Sequence, residues 1–269
     1  MNIRLEEIII YPIKSLGKIS LKVSEARIRG LKFDRRMMLT DAKGNFLSQR
    51  NAPEMARFFL SIEDGGFLVQ HEGNEIHIPF NPISKNSRKV TIWDDRFTAP
   101  EAEDQYNRWF SDQLNLECHL ILMDADTLRP VQNKYAVDNE HVSYADGFPY
   151  LIIGTGSLED LNKKLEIPVP MDRFRPNLVI STDMPFEEDD FDVFQIGEAI
   201  FKRVKPCSRC VITTTDQLTG KRSKEPLKTL SKYRKIGQKI FFGQNLICMK
   251  EGIVKTGDIL SPTSIYKPG

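Results

Sequence analysis

Phe58-Phe59-Leu60-Ser61-Ile62-Glu63-Asp64-Gly65-Gly66-Phe67-Leu68-Val69-Gln70-His71-Glu72-Gly73-Asn74-Glu75-Ile76-His77-Ile78 is the stretch that decides the fold class. Three short apolar-rich runs, 58–62, 67–70 and 75–78, are separated by Gly65-Gly66 and Gly73-Asn74. Glycine and asparagine tolerate the backbone of a tight turn, so these pairs read as turn signals between short strands. Further strands follow outward on both sides. Ile8-Ile9-Ile10-Tyr11 runs into Pro12, residues 19–28 alternate apolar and polar, and Met37-Met38-Leu39 ends at the turn Asp41-Ala42-Lys43-Gly44-Asn45. Another run spans 89–93. Short strands at this spacing point to a barrel or sandwich. They give way to a helix predicted from about residue 102 to residue 114, with Ala102, Tyr106, Trp109, Phe110 and Leu114 on one face.

A second half begins near residue 118. Leu120-Ile121-Leu122-Met123 reads as a strand, 124–147 as a long polar loop and 150–153 as a buried strand. Ser157 with Asp160 has the spacing of a capping box, ahead of a helical face of Leu158, Leu161 and Leu165 that Pro168 and Pro170 end. Strands are predicted at 178–180, 199–204, 211–215, 246–249 and 253–254, with a short helix over 226–233. Many strands against three helices, without regular alternation, give a β-rich α+β chain and disfavour a parallel βαβ sheet.

The chain has 269 residues and a formal net charge of +1, with 40% hydrophobic and 28% charged residues. One or two globular domains fit that length. A balanced charge gives no bulk attraction to nucleic acid or an anionic membrane, and no run approaches the ~20 apolar residues of a spanning helix. The N-terminal residues include Glu6 and Glu7 and lack the pattern of a signal or transit peptide. Four cysteines are too few for a disulfide scaffold. The expected setting is a reducing cytoplasm, with neither a nucleic acid nor a membrane as partner.

The chemistry is concentrated in Lys205-Pro206-Cys207-Ser208-Arg209-Cys210. A closed zinc site needs four ligands, and Cys118, Cys248 and four scattered histidines supply no second pair. A thioredoxin-like dithiol sits where a strand enters a helix, whereas Val211-Ile212-Thr213-Thr214-Thr215 reads as a strand. A structural role suits Cys118 and Cys248, which lie in apolar strands. It suits Cys207 and Cys210 poorly, because Lys202, Arg203, Lys205 and Arg209 surround them. A soft thiolate among cations could instead hold a soft-ligand metal inside an anionic cofactor such as a molybdenum–pterin dithiolene.

An ordered set of motifs carries a resemblance. It comprises Tyr11-Pro12-Ile13-Lys14-Ser15, Gly30-Leu31 with Asp34-Arg35, Ser48-Gln49-Arg50, Asp146-Gly147-Phe148-Pro149 and Ser157-Leu158-Glu159-Asp160-Leu161-Asn162. It continues through Arg173-Phe174-Arg175-Pro176-Asn177, the Cys207-to-Cys210 motif, Thr219-Gly220, Glu225-Pro226-Leu227 and Gly257-Asp258. Over nearly its whole length the chain resembles the MOSC family (the molybdenum cofactor sulfurase C-terminal domain) with its usual N-terminal β-barrel partner. It is similar there to the mitochondrial amidoxime-reducing components and their bacterial counterparts.

The resemblance implies two β-barrel-like domains, 1–117 and 118–269, with a molybdenum cofactor between them. It implies Cys210 as the molybdenum ligand, with Cys207 in support. It implies Lys14, Ser15, Arg35, Arg175 and Asn177 as cofactor contacts, Asp146 and Gly147 on the pterin side, and Ser208 and Arg209 as donors flanking the ligand. Asp146 is the candidate acid or base. Arg173 and Arg175 are expected on one side of an extended segment. The implied activity is two-electron reduction of small N-hydroxylated compounds. No C-x4-C-x2-C spacing occurs, so electrons are expected from a separate ferredoxin-, flavodoxin- or cytochrome b5-like protein with its reductase. The lysine site of the pyridoxal phosphate domain of sulfurase relatives is not recognisable, so that cofactor is not expected. Two other readings stay open: a sulfur carrier with a persulfide on Cys210, and a cofactor-binding or storage module without turnover.

Overall fold

The computed structural model describes residues 3–124, 127, 129–131 and 141–263. The three-run stretch is a meander of Phe59–Glu63, Gly66–His71 and Asn74–Pro79, paired antiparallel. Its turns lie one residue earlier than the glycine pairs suggest. The register closes Glu63 on Gly66 and His71 on Asn74, leaving Asp64-Gly65 and Glu72-Gly73 as two-residue loops. All four loop residues have positive φ, the backbone of a type I′ hairpin turn. Phe67, Val69 and Ile78 point from this sheet into the core.

A four-stranded sheet runs in the order Met37–Asp41, Cys118–Leu122, Asp95–Ala102, Ile83–Ile92. Helix α1 covers Asp104–Leu114. It starts later than its apolar periodicity predicts because Glu101 and Ala102 are still strand, paired with Ile121 and Ile83. Asn107 ties the helix to the sheet, donating to Glu101 Oε1 at 2.8 Å and accepting the Leu120 N–H at 2.8 Å.

A nine-stranded sheet carries most of the second half. Its two longest strands, Ala199–Ser208 and Lys239–Lys250, pair antiparallel. Tyr150–Gly154 and Leu178–Ile180 follow across the sheet, and beside them lies Leu5–Ile10, paired in turn with Ile19–Leu21. The first strand of the chain is therefore built into a sheet made largely of residues from 150 onward. Most pairings are antiparallel, as the element order predicts. Among the described strand pairs the exception is the parallel pair Tyr150–Gly154 with Leu178–Ile180, which helix α2 (Thr155–Asn162) connects.

Three local expectations are corrected. Ser157 does not cap α2, because the helix begins two residues earlier, after Gly154. Its hydroxyl instead donates to the buried Glu188 at 2.8 Å and accepts the Phe186 N–H at 2.7 Å. Residues 211–215 are not a strand. Val211–Thr214 is one turn of 3-10 helix. The Thr213 and Thr214 hydroxyls donate to the carbonyls of Cys210 and Val211, three residues back, at 3.0 and 2.7 Å. Threonine can satisfy its local backbone in this way, and that outweighs its strand preference. Of the helix predicted over 226–233, only Leu227–Leu230 is α-helical, here α3, with Pro226 immediately before it. The polar loop predicted over 124–147 lies partly outside the described residues.

Candidate active site

The site forms where chain turns from both halves meet the end of the nine-stranded sheet. After Leu5–Ile10 the chain passes Pro12, and Lys14 N–H donates to the Met37 carbonyl at 2.8 Å. Lys14 is 5% exposed. Its Nζ donates to the Tyr144 carbonyl at 2.8 Å and to Asp146 Oδ1 at 2.5 Å. Ser15, Arg35 and Arg175 all have positive φ, at 70°, 49° and 55°. For side-chain-bearing residues this backbone is uncommon, and a packed surround must hold it in place.

That surround is visible around Tyr11. The Arg35 and Arg175 guanidinium carbons lie 4.5 and 4.0 Å from the centroid of its ring. Asp34 is fully buried, accepts the Tyr11 N–H at 2.9 Å and takes Arg35 Nη1 at 2.6 Å. Arg35 also donates to Asn177 Oδ1 and to the Arg175 carbonyl, each at 3.3 Å. Arg175 donates to the Leu16 carbonyl at 2.8 Å. Asn177, 2% exposed, donates to the Ile9 carbonyl and accepts from Leu151 N–H, which stitches two strands of the site wall together. The pairing of Arg173 with Arg175 on an extended segment does not occur. Met171–Phe174 is a 3-10 turn, which rotates Arg173 away to the Thr213 carbonyl and Asp216.

The sulfur side is set by the strand Ala199–Ser208. Its end brings Cys207 against the core cluster of Phe174 and Phe242, whose rings are 4.3 Å apart. Arg209 donates to Cys207 Sγ at 3.0 Å and to the Phe174 carbonyl at 2.6 Å. Cys210 opens the 3-10 turn, and its Sγ receives an N–H from Arg50 Nη2 at 3.3 Å. The same Arg50 nitrogen reaches Asp146 Oδ2 at 2.9 Å. The Arg50 guanidinium lies 4.7 Å from the Trp93 ring, and Trp93 Nε1 donates to Asp146 Oδ1 at 3.3 Å.

Lys14, Ser15, Arg35, Asp146, Gly147, Arg175, Asn177, Ser208, Arg209 and Cys210, the ten residues read from the sequence, all line one cavity of about 330 Å³. Arg50 and Lys205 complete a wall of six cations against the single carboxylate of Asp146. Arg50 had only a motif to point to it, in Ser48-Gln49-Arg50, and Lys205 only its place in the basic cluster. Burial pushes Lys14 down to about 8, against the pull of Asp146. Burial likewise pushes Arg175 down to about 10, with Arg35 adding to the effect. Loss of hydration in the cleft works to raise the Asp146 carboxyl, but Lys14 and Arg50 outweigh it and hold it well below the usual carboxylate range. Asp146 is thus an ionised acceptor that clamps two cations. Elsewhere burial pushes the thiols of Cys118 and Cys248 up to about 11 and about 12, as suits inert core residues.

This donor set fits an anionic, phosphate-bearing group with a soft metal. Arg50 Nη1 and Arg209 Nε are buried without a hydrogen-bond partner. The cations crowd one another, which an anion between them would relieve. A Cβ added at Gly147 would meet nothing within 4 Å, so its backbone is bare to the cavity. Among the described residues no group of three or more His, Cys, Asp or Glu could hold a metal ion. The arrangement therefore offers two thiols, Cys207 and Cys210, in a cationic cradle. With a helical turn after Cys210, the strand argument against a dithiol role no longer applies. The separate engagement of Cys207 by Arg209 and of Cys210 by Arg50 is what distinguishes the two sulfurs.

Residues 2–117 match the profile of the MOSC N-terminal beta barrel domain, and residues 139–261 match that of the MOSC domain. The chain is 30% identical to human mitochondrial amidoxime-reducing component 1, over 93% of this chain and 80% of that protein. It is 31% identical to rat mitochondrial amidoxime reducing component 2, over 93% and 80%. It is also 30% identical to the molybdenum cofactor sulfurase of Oryza sativa subsp. japonica, over 90% of this chain but 32% of that protein, so it spans about a third of the sulfurase.

Proposed function

Because this chain belongs to the MOSC family, with both its N-terminal β-barrel domain and its MOSC domain, we propose that it binds a molybdenum cofactor and reduces small N-hydroxylated compounds. The observation that carries the reading is Cys210 facing a cavity walled by six cations and one carboxylate. In this reading the division 1–117 and 118–269 separates two cooperating domains in the cytoplasm, and a separate ferredoxin-, flavodoxin- or cytochrome b5-like protein supplies electrons.

Cys210 Sγ would be the soft ligand to the metal. The Arg50 N–H at 3.3 Å fixes the sulfur and offsets its charge. Lys14, Arg35 and Arg175 would neutralise the charge of the bound cofactor, and Asn177, Ser208 and the Gly147 backbone would offer it hydrogen bonds. When bound, the cofactor supplies two-electron oxygen-transfer chemistry, and the protein supplies orientation and electrostatics. Asp146 stays ionised and holds Lys14 and Arg50 toward the cavity. Burial pushes Lys14 Nζ down to about 8, so it exchanges its proton near that pH.

The test is expression in a molybdenum-competent host, followed by metal analysis, pterin fluorescence and benzamidoxime reduction with a chemical electron donor. Turnover with stoichiometric molybdenum is the expected result. Metal-free protein that gains a reducible sulfur adduct on Cys210, seen by intact mass, would move the assignment to the sulfur-carrier reading that the sulfurase similarity favours. Stoichiometric cofactor without turnover would mark a storage module.

A further inference from the structure

We propose that the surface formed by residues 221–239 docks an acidic electron-carrier protein at the mouth of the Cys210 cavity. The proposal rests on the function above for the use of those electrons, but the docking itself is tested without turnover. Between Lys221 and Lys239 the sequence places eight lysines or arginines and one acid, Glu225. The whole chain carries a net charge of only +1, so the rest of it is net negative and the molecule is strongly polarised.

Lys221, Lys224, Lys228, Lys232, Lys235 and Lys239 are exposed, as is Arg222. Among the described residues none of these seven takes part in a salt bridge; the one ion pair in the segment is Arg234 with Asp189. Surface lysines are ordinarily interspersed with acids, so an unpaired set over one short segment leaves a field that lacks its complement.

The segment is anchored to the site at both ends. Arg222 Nη2 donates to the carbonyls of Gln49 and Arg50, and Ser223 N–H donates to the Thr214 carbonyl at 3.1 Å, in the turn that begins at Cys210. At the other end Lys239 opens the strand whose Ile240 carbonyl accepts the Arg209 N–H at 2.8 Å. Exposed Ile236, Leu218, Val211 and Tyr233 lie in or beside the basic segment. Apolar side chains within a charged surround are the makeup of a small transient interface, and the charges would steer the encounter.

An acidic protein fits better than nucleic acid or lipid. Lysines dominate, whereas fork-like phosphate recognition favours arginine. The one helix in the segment is the four-residue α3, too short to lie as an amphipathic helix on a membrane. The electron count is simple. Two reduced one-electron carriers dock in succession, each is oxidised by one electron, and with two protons an N–OH group becomes N–H and water.

The experiment uses the full chain, an acidic [2Fe–2S] ferredoxin as probe, and a variant with Lys228, Lys232, Lys235 and Lys239 each changed to Glu. Calorimetry in low salt and at about 0.15 M ionic strength reads binding. Wild-type affinity is expected to fall with salt, and the variant to bind at least about tenfold more weakly. A Lys43→Glu, Lys85→Glu control should bind as wild type, and turnover driven by reduced methyl viologen should not be lowered in the variant. If the fourfold variant does not fold, Lys228→Glu with Lys232→Glu carries the same prediction with a smaller loss. Unchanged ferredoxin affinity in the variant overturns the proposal. So does tighter wild-type binding to phosphatidylserine vesicles or duplex DNA than to ferredoxin. Absence of viologen-driven turnover in all proteins counts against the proposed reduction alone, and the binding comparison still decides the docking.

Discussion

The two pairs of cysteines occupy opposite surroundings. Cys118 and Cys248 lie within sheets at 1% and 2% exposure, and burial, helped by Glu117 and Glu251, pushes their thiols up to about 11 and about 12. Cys207 and Cys210 lie at a strand end on the cavity rim, each with an arginine N–H on its sulfur. Within the second pair there is a further difference. Cys207 leans on an apolar cluster, while Cys210 faces six cations with Arg50 at its side. Residue type does not set the role of a thiol; what lies against the sulfur does.

Cys210→Ala should lower benzamidoxime reduction by at least about 1000-fold, equivalent to roughly 4 kcal/mol in the barrier. Cys207→Ala should cost far less, and equal losses would erase the distinction between the two sulfurs. With cofactor-free native protein at pH 8, iodoacetamide should label Cys207 and Cys210 about 100-fold faster than Cys118 and Cys248. Peptide mass spectrometry over time reads this directly, and uniform labelling would contradict it.

Lys14 gives a pH signature about tenfold in size. Its charge is present below about 8 and lost above it, so pyrophosphate binding to the cofactor-free protein should weaken about tenfold from pH 7 to pH 9. Lys14→Arg should flatten that profile. The same shift has a stability sign. The folded pKa of about 8 is below the ordinary 10.5, so between those values the unfolded chain binds more protons and the fold gains stability as pH rises. Thermal melts of Lys14→Met should lack this rise. The smallest effect is expected for Cys248→Ala, about 1 kcal/mol of stability in urea with activity unchanged.

Much of the fold was legible because local physics and tertiary structure agree. In the 59–79 meander, alternation and glycine turns dictate the same pairing, with only the turn register displaced. At residues 211–215 they conflict. The β-branched run suggested a strand, but among the described residues only its last member, Thr215, makes a bridge, to Arg222, and threonine hydroxyls close a turn on the Cys210 and Val211 carbonyls. The helix at 102 started late because a strand pair claimed Glu101 and Ala102.

The site was legible only as an ordered set of motifs. Nothing in the spacing of Lys14, Arg35, Asp146, Arg175 and Cys210 announces that they share a cavity, since that depends on the first strand entering the second half's sheet. Arg50 shows what such a reading misses. Its motif was visible, but its place between Trp93, Asp146 and Cys210 is a product of packing. The cations at 221–239 were likewise plain in the sequence, yet their meaning depends on Arg222 anchoring them to the backbone of Gln49 and Arg50.

The proposed bond from Cys210 Sγ to molybdenum can be read at the metal itself. X-ray absorption at the molybdenum edge, on wild type and Cys210→Ser from a molybdenum-competent host, tests it most directly. The expected result is a sulfur shell in the wild type that loses one sulfur in the variant, or loss of the metal from the variant. An identical sulfur shell at full occupancy in both proteins would contradict the assignment.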